Sequence, residues 1–130
     1  MKALRILVVE DEPLIGMLLA EVLTGMGHDV CAIESTEAGA VTAAARHEPD
    51  LMIVDSRLAV GSGVSAVAKI LLTGFIPHVF VTGDALTGPA LSSRAVVIRK
   101  PFRDSDLVRA MQRALGALAS ERTITPESAE

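Results

Sequence analysis

The chain has 130 residues, half of them hydrophobic, which suits one domain with a full core. Its formal net charge is −4 and its basic residues are dispersed, so the composition gives no indication of nucleic-acid binding. The single cysteine excludes an internal disulfide and no apolar run has membrane-spanning length, so we expect a cytoplasmic protein without a membrane partner.

The first predicted element is a buried strand over residues 4–9 that ends on carboxylates. The run ILVVEDEP at positions 6–13 places four apolar residues directly before Glu10 and Asp11. Pro13 suits the first turn of a helix, where its missing N–H needs no partner, and apolar residues then recur every four positions. Strand 1 therefore brings negative charge to its carboxyl-terminal end, where parallel sheets bind ligands.

The middle of the chain predicts two more strands and two helices. Residues 29–33 form a short second strand, and Ser35 is expected to cap a second helix whose inner face is rich in alanine. Residues 51–54 form a third buried strand that ends on Asp55, and a helix over residues 64–74 follows a loop that contains glycine. Asp55 thus repeats the arrangement at the end of strand 1.

Two further strands and a last helix complete the alternation. The strands are expected at residues 78–81 and 95–99, and the helix begins at Asp104. The connection over residues 83–94 is short and contains glycine, proline and serine, so its helix should be shortened or missing. Alternation of this kind predicts an α/β fold, in which a five-stranded parallel sheet has helices on both faces.

The carboxyl-terminal residues are predicted to lie outside the domain. Residues 121–130 are polar and lack apolar periodicity, which is typical of a loose tail after a domain over residues 1–120. Such a tail is too short for a DNA-binding module.

Five polar side chains should meet at the carboxyl-terminal edge of the sheet. They follow four different strands: Glu10, Asp11, Asp55, Thr82 and Lys100. Two unit charges about 4 Å apart repel by roughly 4 kcal/mol at an effective dielectric of 20, so three carboxylates beside one lysine favour a bound cation. Oxygen ligands of this kind suit Mg²⁺.

The ordered set of motifs resembles a response-regulator receiver domain over nearly the whole chain, residues 4–119. The matching residues are Glu10-Asp11, Asp55, Gly63, Thr82-Gly83 and Lys100-Pro101-Phe102. The resemblance implies a flavodoxin-like doubly wound sheet with strand order 2-1-3-4-5. The run at positions 80–83 is also similar, with valine for alanine, to the motif of a subgroup of mostly single-domain receivers named for Phe-Ala-Thr-Gly.

The resemblance implies a phosphoryl-transfer role for the residues at the sheet edge. Asp55 would be the phosphoacceptor, taking a phosphoryl group from the phosphohistidine of a sensor histidine kinase or a phosphotransfer protein. Lys100 and Thr82 would contact phosphoryl oxygens, and Gly83 would offer its backbone N–H. The implied function is a response regulator of a two-component system or phosphorelay that acts on an unknown downstream protein.

The resemblance also implies the ligands of Mg²⁺. Asp11 and Asp55 would bind the ion directly, Glu10 would assist through water, and the backbone carbonyl of Arg57 would complete the protein ligands. Mg²⁺ keeps several waters in such sites, so a small number of protein oxygens suffices.

Two departures from the family pattern bear on function. Val97 stands where receivers usually carry an aromatic switch residue, and Ala59 replaces a common proline after the phosphoacceptor. A phosphorylation-independent pseudo-receiver that acts as a protein-binding adaptor is therefore the alternative.

A phosphohydrolase of related topology is disfavoured because Arg57 occupies the position of its second aspartate. We expect a signalling protein that catalyses only its own phosphorylation and slow dephosphorylation, not a classical enzyme.

Overall fold

Five parallel strands form one sheet in the computed structural model, which describes residues 2–83 and 91–128. The strands are β1 (Arg5–Val9), β2 (Asp29–Glu34), β3 (Leu51–Asp55), β4 (His78–Thr82) and β5 (Val96–Arg99). Their order across the sheet is β2-β1-β3-β4-β5, and each neighbouring pair is parallel. The predicted α/β class, parallel sheet and strand order are confirmed.

Four α-helices connect or follow the strands in the described part of the chain. They are α1 (Pro13–Gly25), α2 (Glu37–His47), α3 (Gly63–Ile70) and α4 (Asp104–Ser128), and a 3₁₀ turn over Leu71–Thr73 extends α3. The connection predicted to hold a shortened helix falls mainly on residues 84–90, outside the described residues. Residues 91–95, which are described, contain no helix.

The sheet separates two apolar layers because successive strand residues point to opposite faces. In β1, Ile6 and Val8 pack in the layer under α1 and α4, whereas Leu7 and Val9 pack in the layer under α2 and α3. To the second layer α2 contributes small buried side chains, Ala40, Ala43 and Ala44. The sheet edge that carries the polar residues is thus held by a core on both faces.

The cap of α2 differs from the prediction. Thr36, not Ser35, is the residue before the helix, and its Oγ1 accepts a hydrogen bond from the Gly39 N–H at 3.0 Å. Thr36 has the extended backbone of a capping residue and also forms a parallel bridge with Val60. That tertiary bridge fixes where the strand-like backbone ends, and the sequence near Ser35 gives no sign of it.

The carboxyl-terminal helix also differs from the prediction. Residues 121–130 were expected to be a loose tail, but α4 continues through Ser128. The prediction relied on apolar periodicity, which marks only a helix face that packs on a core. A helix that has already formed can continue through a polar stretch, because each added residue forms one more backbone hydrogen bond. None of the described helices combines the length and apolar character needed to cross a bilayer.

Candidate functional site

Strand register brings the predicted site residues to one edge of the sheet. Val9 pairs with Val54 and Asp55 pairs with Val81, so the residues that follow β1 lie beside the end of β3. Thr82 in turn pairs with Arg99, which places Lys100 next to the end of β4. Four strands therefore deliver the polar residues at their ends to one place.

Three carboxylates and one ammonium form the centre of the site. One oxygen from each of Glu10, Asp11 and Asp55 lies within 4.8 Å of the others. The Nζ atom of Lys100 lies 3.3 Å from Oδ2 of Asp55 and 3.8 Å from Oε1 of Glu10. The structure thus brings together the acidic residues and the lysine that the sequence singled out.

Backbone N–H groups hold each of the three carboxylates in place. Arg57 donates to Oδ1 of Asp55 at 3.1 Å, and the Glu12 N–H donates to Oε2 of Glu10 at 3.1 Å. Ala59 donates to Oδ2 of Asp11 at 2.8 Å. A proline at position 59 would lack this donor, so the bond depends on a residue that departs from the family pattern.

Burial changes the acid–base character of this cluster. Glu10 is 5 % exposed, and burial, with a smaller contribution from the Asp55 charge, raises its pKa to about 7. Burial opposes the charge on Lys100, but the carboxylates of Asp55 and Glu10 outweigh it and raise the pKa of the ammonium. Lys100 is therefore charged at neutral pH, whereas Glu10 is close to half protonated before a cation binds.

An apolar cavity of about 170 Å³ borders the acids. It lies between α1 and α4, and its walls include Leu19, Ile53 and Leu107. Glu10, Asp55 and Lys100 line its polar end. A carboxylate beside such walls loses hydration, which is the cause of the raised pKa of Glu10.

Thr82 ends β4 and Gly83 follows it, at the same edge of the sheet. Thr82 is buried, and its carbonyl accepts a hydrogen bond from the Lys100 N–H at 2.8 Å. Gly83 is exposed, and among the described residues, its chain neighbours aside, no atom lies within 4 Å of the position that a Cβ would occupy there. Both residues therefore lie at the sheet edge that carries Lys100.

The donor set of the cluster fits Mg²⁺. Mg²⁺ prefers oxygen ligands and is bound by one or two carboxylates while it keeps several waters. The carboxylates of Glu10, Asp11 and Asp55 provide such oxygens, and Lys100 alone does not neutralise them. Ligation by the Arg57 carbonyl stays a prediction.

Glu37 is a residue near the site that the sequence did not single out. Its carboxylate accepts a hydrogen bond from the Ser62 N–H at 2.9 Å and forms an ion pair with Lys69 at 2.6 Å. These contacts join residues far apart in the chain, so only its place near the start of the predicted second helix was visible locally. An acidic residue at the start of a helix is more often explained by its favourable interaction with the helix dipole.

Comparison with known proteins gives consistent results. The family model for the response regulator receiver domain matches residues 6–112. The phyllosphere-induced regulator PhyR of Methylorubrum extorquens is 37% identical over 118 residues, which cover 87% of this chain and 44% of that protein. The chain spans about half the length of the curated relatives it matches.

Solved structures show the same similarity. The receiver domain of PhyR from Erythrobacter litoralis superposes with a TM-score of 0.78 at 34% identity, covering 88% of this chain and 92% of that one. PhyR from Bartonella quintana, described as an anti-anti-sigma factor, gives a TM-score of 0.76 at 29% identity, covering 98% and 52%. Family match, fold and acidic edge agree, and the chain belongs to the response-regulator receiver domains, a family of signalling proteins rather than classical enzymes.

Proposed function

We propose that this chain is a phosphoacceptor switch in which Asp55 receives a phosphoryl group from a phosphohistidine. The observation that carries the proposal is the placement of Lys100 Nζ 3.3 Å from Oδ2 of Asp55, beside two further carboxylates. A nucleophile, a fixed cation and a set of metal ligands then share one pocket. That combination suits phosphoryl transfer, in which the protein mainly positions groups and neutralises charge.

The proposed reaction exchanges one phosphorus bond for another. A carboxylate oxygen of Asp55 attacks the phosphorus atom, and a P–O bond forms as the P–N bond to the donor breaks. The bonding pair remains on the imidazole nitrogen, and the donor leaves as neutral histidine because its other ring nitrogen carries a proton. The product on this chain is an acyl phosphate.

Each neighbouring residue has a proposed part in this step. Lys100 neutralises one phosphoryl oxygen, Thr82 hydrogen-bonds a second, and the exposed backbone of Gly83 offers an N–H to the phosphoryl group. Asp11 and Asp55 are the direct Mg²⁺ ligands, with Glu10 acting through water and Arg57 through its carbonyl. When bound, the ion offsets the repulsion between the phosphoryl group and the carboxylates.

The partners follow from this chemistry. The donor is a sensor histidine kinase or a phosphotransfer protein, since phosphohistidine is the group that Asp55 accepts in the proposed reaction. The downstream partner is a protein whose contact with this domain changes on phosphorylation. The similarity to PhyR, described as an anti-anti-sigma factor, supports output through a protein contact rather than through nucleic acid.

Intact-mass analysis tests the proposal. Wild type and Asp55→Asn are incubated with acetyl phosphate, with and without Mg²⁺. We expect wild type to gain the mass of one phosphoryl group only with Mg²⁺, and Asp55→Asn to gain none. A wild type that gains no mass under any condition would favour the adaptor that acts without phosphorylation.

A further inference from the structure

The loop after β3, residues 56–62, is attached to the start of α2. Thr36 forms a parallel bridge with Val60, and the Glu37 N–H donates to the Val60 carbonyl at 3.2 Å. Gly61 has a φ of +82°, and a Cβ at this position would overlap the Cβ of Glu37. The loop therefore lies against α2 at a distance that only glycine allows.

The side chain of Glu37 holds the end of this loop. Its Oε1 accepts the Ser62 N–H at 2.9 Å, and its Oε2 accepts the Ser65 hydroxyl at 2.8 Å. Lys69 on α3 completes the set with an ion pair of 2.6 Å. The ion pair and hydrogen bonds lower the pKa of Glu37 to about 2, so the carboxylate stays charged at physiological pH.

Backbone contacts connect this network to the phosphoacceptor. Ser62, which Glu37 holds, forms an antiparallel bridge with Arg57. The Gly63 N–H donates to the Ser56 carbonyl at 3.0 Å, which closes the loop. The Arg57 N–H donates to Oδ1 of Asp55 at 3.1 Å. One continuous set of contacts thus runs from Glu37 through Ser62 and Arg57 to the carboxylate of Asp55.

We infer that Glu37 is a positioning residue for the Asp55 site, acting through the loop that carries Arg57. This inference rests on the proposed function. Glu37 has no direct part in the proposed phosphoryl transfer or Mg²⁺ binding; it fixes the loop whose N–H orients Asp55 and whose Arg57 carbonyl is the proposed Mg²⁺ ligand. Loss of Glu37 should therefore loosen the loop and weaken Mg²⁺ binding together.

A purely structural role predicts a different result. Ser62 also caps α3 by accepting the Ser65 N–H at 2.9 Å, so Glu37 would then only support that cap. Its removal would lower the free energy of unfolding and leave Mg²⁺ affinity and exchange of the Arg57 amide unchanged. Asp106 offers a matched control, because its carboxylate accepts the Arg103 N–H at 2.9 Å and pairs with Arg109 at 2.7 Å.

The test compares Glu37→Leu and Glu37→Gln with Asp106→Leu and Asp106→Asn. Amide hydrogen exchange is measured in metal-free protein, and the Mg²⁺ dissociation constant is measured by calorimetry. We expect Glu37→Leu to exchange the Arg57 and Ser62 amides at least about ten times faster and to bind Mg²⁺ about ten-fold more weakly, the usual effect of losing a group that orients a metal ligand. Glu37→Gln keeps one hydrogen-bond acceptor, so its amide exchange rates and its Mg²⁺ affinity should lie between those of wild type and Glu37→Leu.

Three results separate the possible failures. Unchanged exchange and Mg²⁺ affinity in both Glu37 variants, beside a wild type that binds Mg²⁺ and is phosphorylated, would overturn the inference alone. Equal losses in the Asp106 variants would also overturn it, since they would reflect general destabilisation. A wild type that neither binds Mg²⁺ nor accepts a phosphoryl group would overturn the proposed function and this inference with it. Glu37→Gln keeps the test decisive if Glu37→Leu does not fold.

Discussion

The ammonium of Lys100 lies 3.3 Å from Oδ2 of Asp55 and 3.8 Å from Oε1 of Glu10, so one cation faces two carboxylates at the end of the sheet. The lysine therefore has two effects of opposite sign. It repels a metal ion that binds the same carboxylates, and it attracts the phosphoryl group that one of them accepts.

Replacing Lys100 should separate these two effects. We expect Lys100→Met to bind Mg²⁺ as tightly as wild type or more tightly, because the repelling charge is gone. Phosphorylation of Asp55 by acetyl phosphate should slow by about 10²-fold or more, as when other charge-stabilising groups are lost. Calorimetry and time-resolved intact mass measure the two quantities. Lys2→Met, at an exposed lysine at the start of the chain, is the control, and equal rates in Lys100→Met and wild type would contradict the assigned role.

Glu10 predicts a pH dependence of stability in the metal-free protein. Burial raises its pKa from 4.5 to about 7. Between pH 4.5 and pH 7 the folded protein therefore binds a proton on Glu10 that the unfolded chain does not bind. The stability that this proton supplies is complete below pH 4.5 and is lost as pH rises through 7. Relative to Glu10→Gln, wild type should lose on the order of 1 to 3 kcal/mol of unfolding free energy from pH 5 to pH 8.

Urea denaturation of both proteins across this range gives the difference curve. His78 contributes a slope of opposite sign, because burial lowers its pKa and protonation then favours the unfolded chain. That contribution is common to both proteins and cancels in the difference. A flat difference curve would show that Glu10 is ionised in the folded protein throughout this range.

The strand ends were predictable from sequence, whereas the contacts between loops were not. Apolar runs that stop at Glu10 and Asp55 mark buried strands that end at the same edge of a parallel sheet, and this pattern is local. The burial of Glu10 and the network of Glu37 depend on residues from other elements. The cap of α2 was mispredicted for the same reason. Thr36, rather than Ser35, caps the helix, and the residue with which Thr36 forms a bridge lies in a distant loop.

Ala59→Pro tests the hydrogen bond that orients Asp11. Proline removes the N–H that donates to Oδ2 of Asp11 at 2.8 Å. Loss of a hydrogen bond to a charged group lowers the free energy of unfolding by about 1.5 to 3 kcal/mol. Proline also makes the unfolded chain less flexible, which raises the free energy of unfolding by about 0.4 to 1 kcal/mol. We expect metal-free Ala59→Pro to be less stable than wild type by about 1 kcal/mol.

Denaturation with and without saturating Mg²⁺ checks this prediction. The difference in unfolding free energy between Ala59→Pro and wild type should be smaller with Mg²⁺, because the ion then orients Asp11 in place of the Ala59 N–H. Ala59→Ser keeps the donor and should behave as wild type. An Ala59→Pro variant as stable as Ala59→Ser in metal-free buffer would show that this bond contributes nothing.

Gly63→Ala tests the close approach of α3 to the phosphoacceptor. A Cβ at Gly63 would overlap the backbone carbonyl oxygen of Asp55, so the backbone itself must shift. Overpacking of this kind costs about 1 to 3 kcal/mol, and displacement of Asp55 should also slow its phosphorylation. Gly25→Ala should be neutral or stabilising, since its added Cβ would meet no atom within 4 Å among the described residues outside its own helix backbone and chain neighbours. Equal stability and phosphorylation rate in Gly63→Ala and wild type would rule out the overlap.

Locating the transferred group tests the central claim most directly. Protein treated with acetyl phosphate and Mg²⁺ is reduced with borohydride, which converts an aspartyl phosphate to homoserine, and is then mapped by peptide mass spectrometry. We predict homoserine at position 55 alone, and none when Mg²⁺ is chelated before the reaction. Homoserine at another acidic residue, or modification at position 55 that persists without Mg²⁺, would contradict the account.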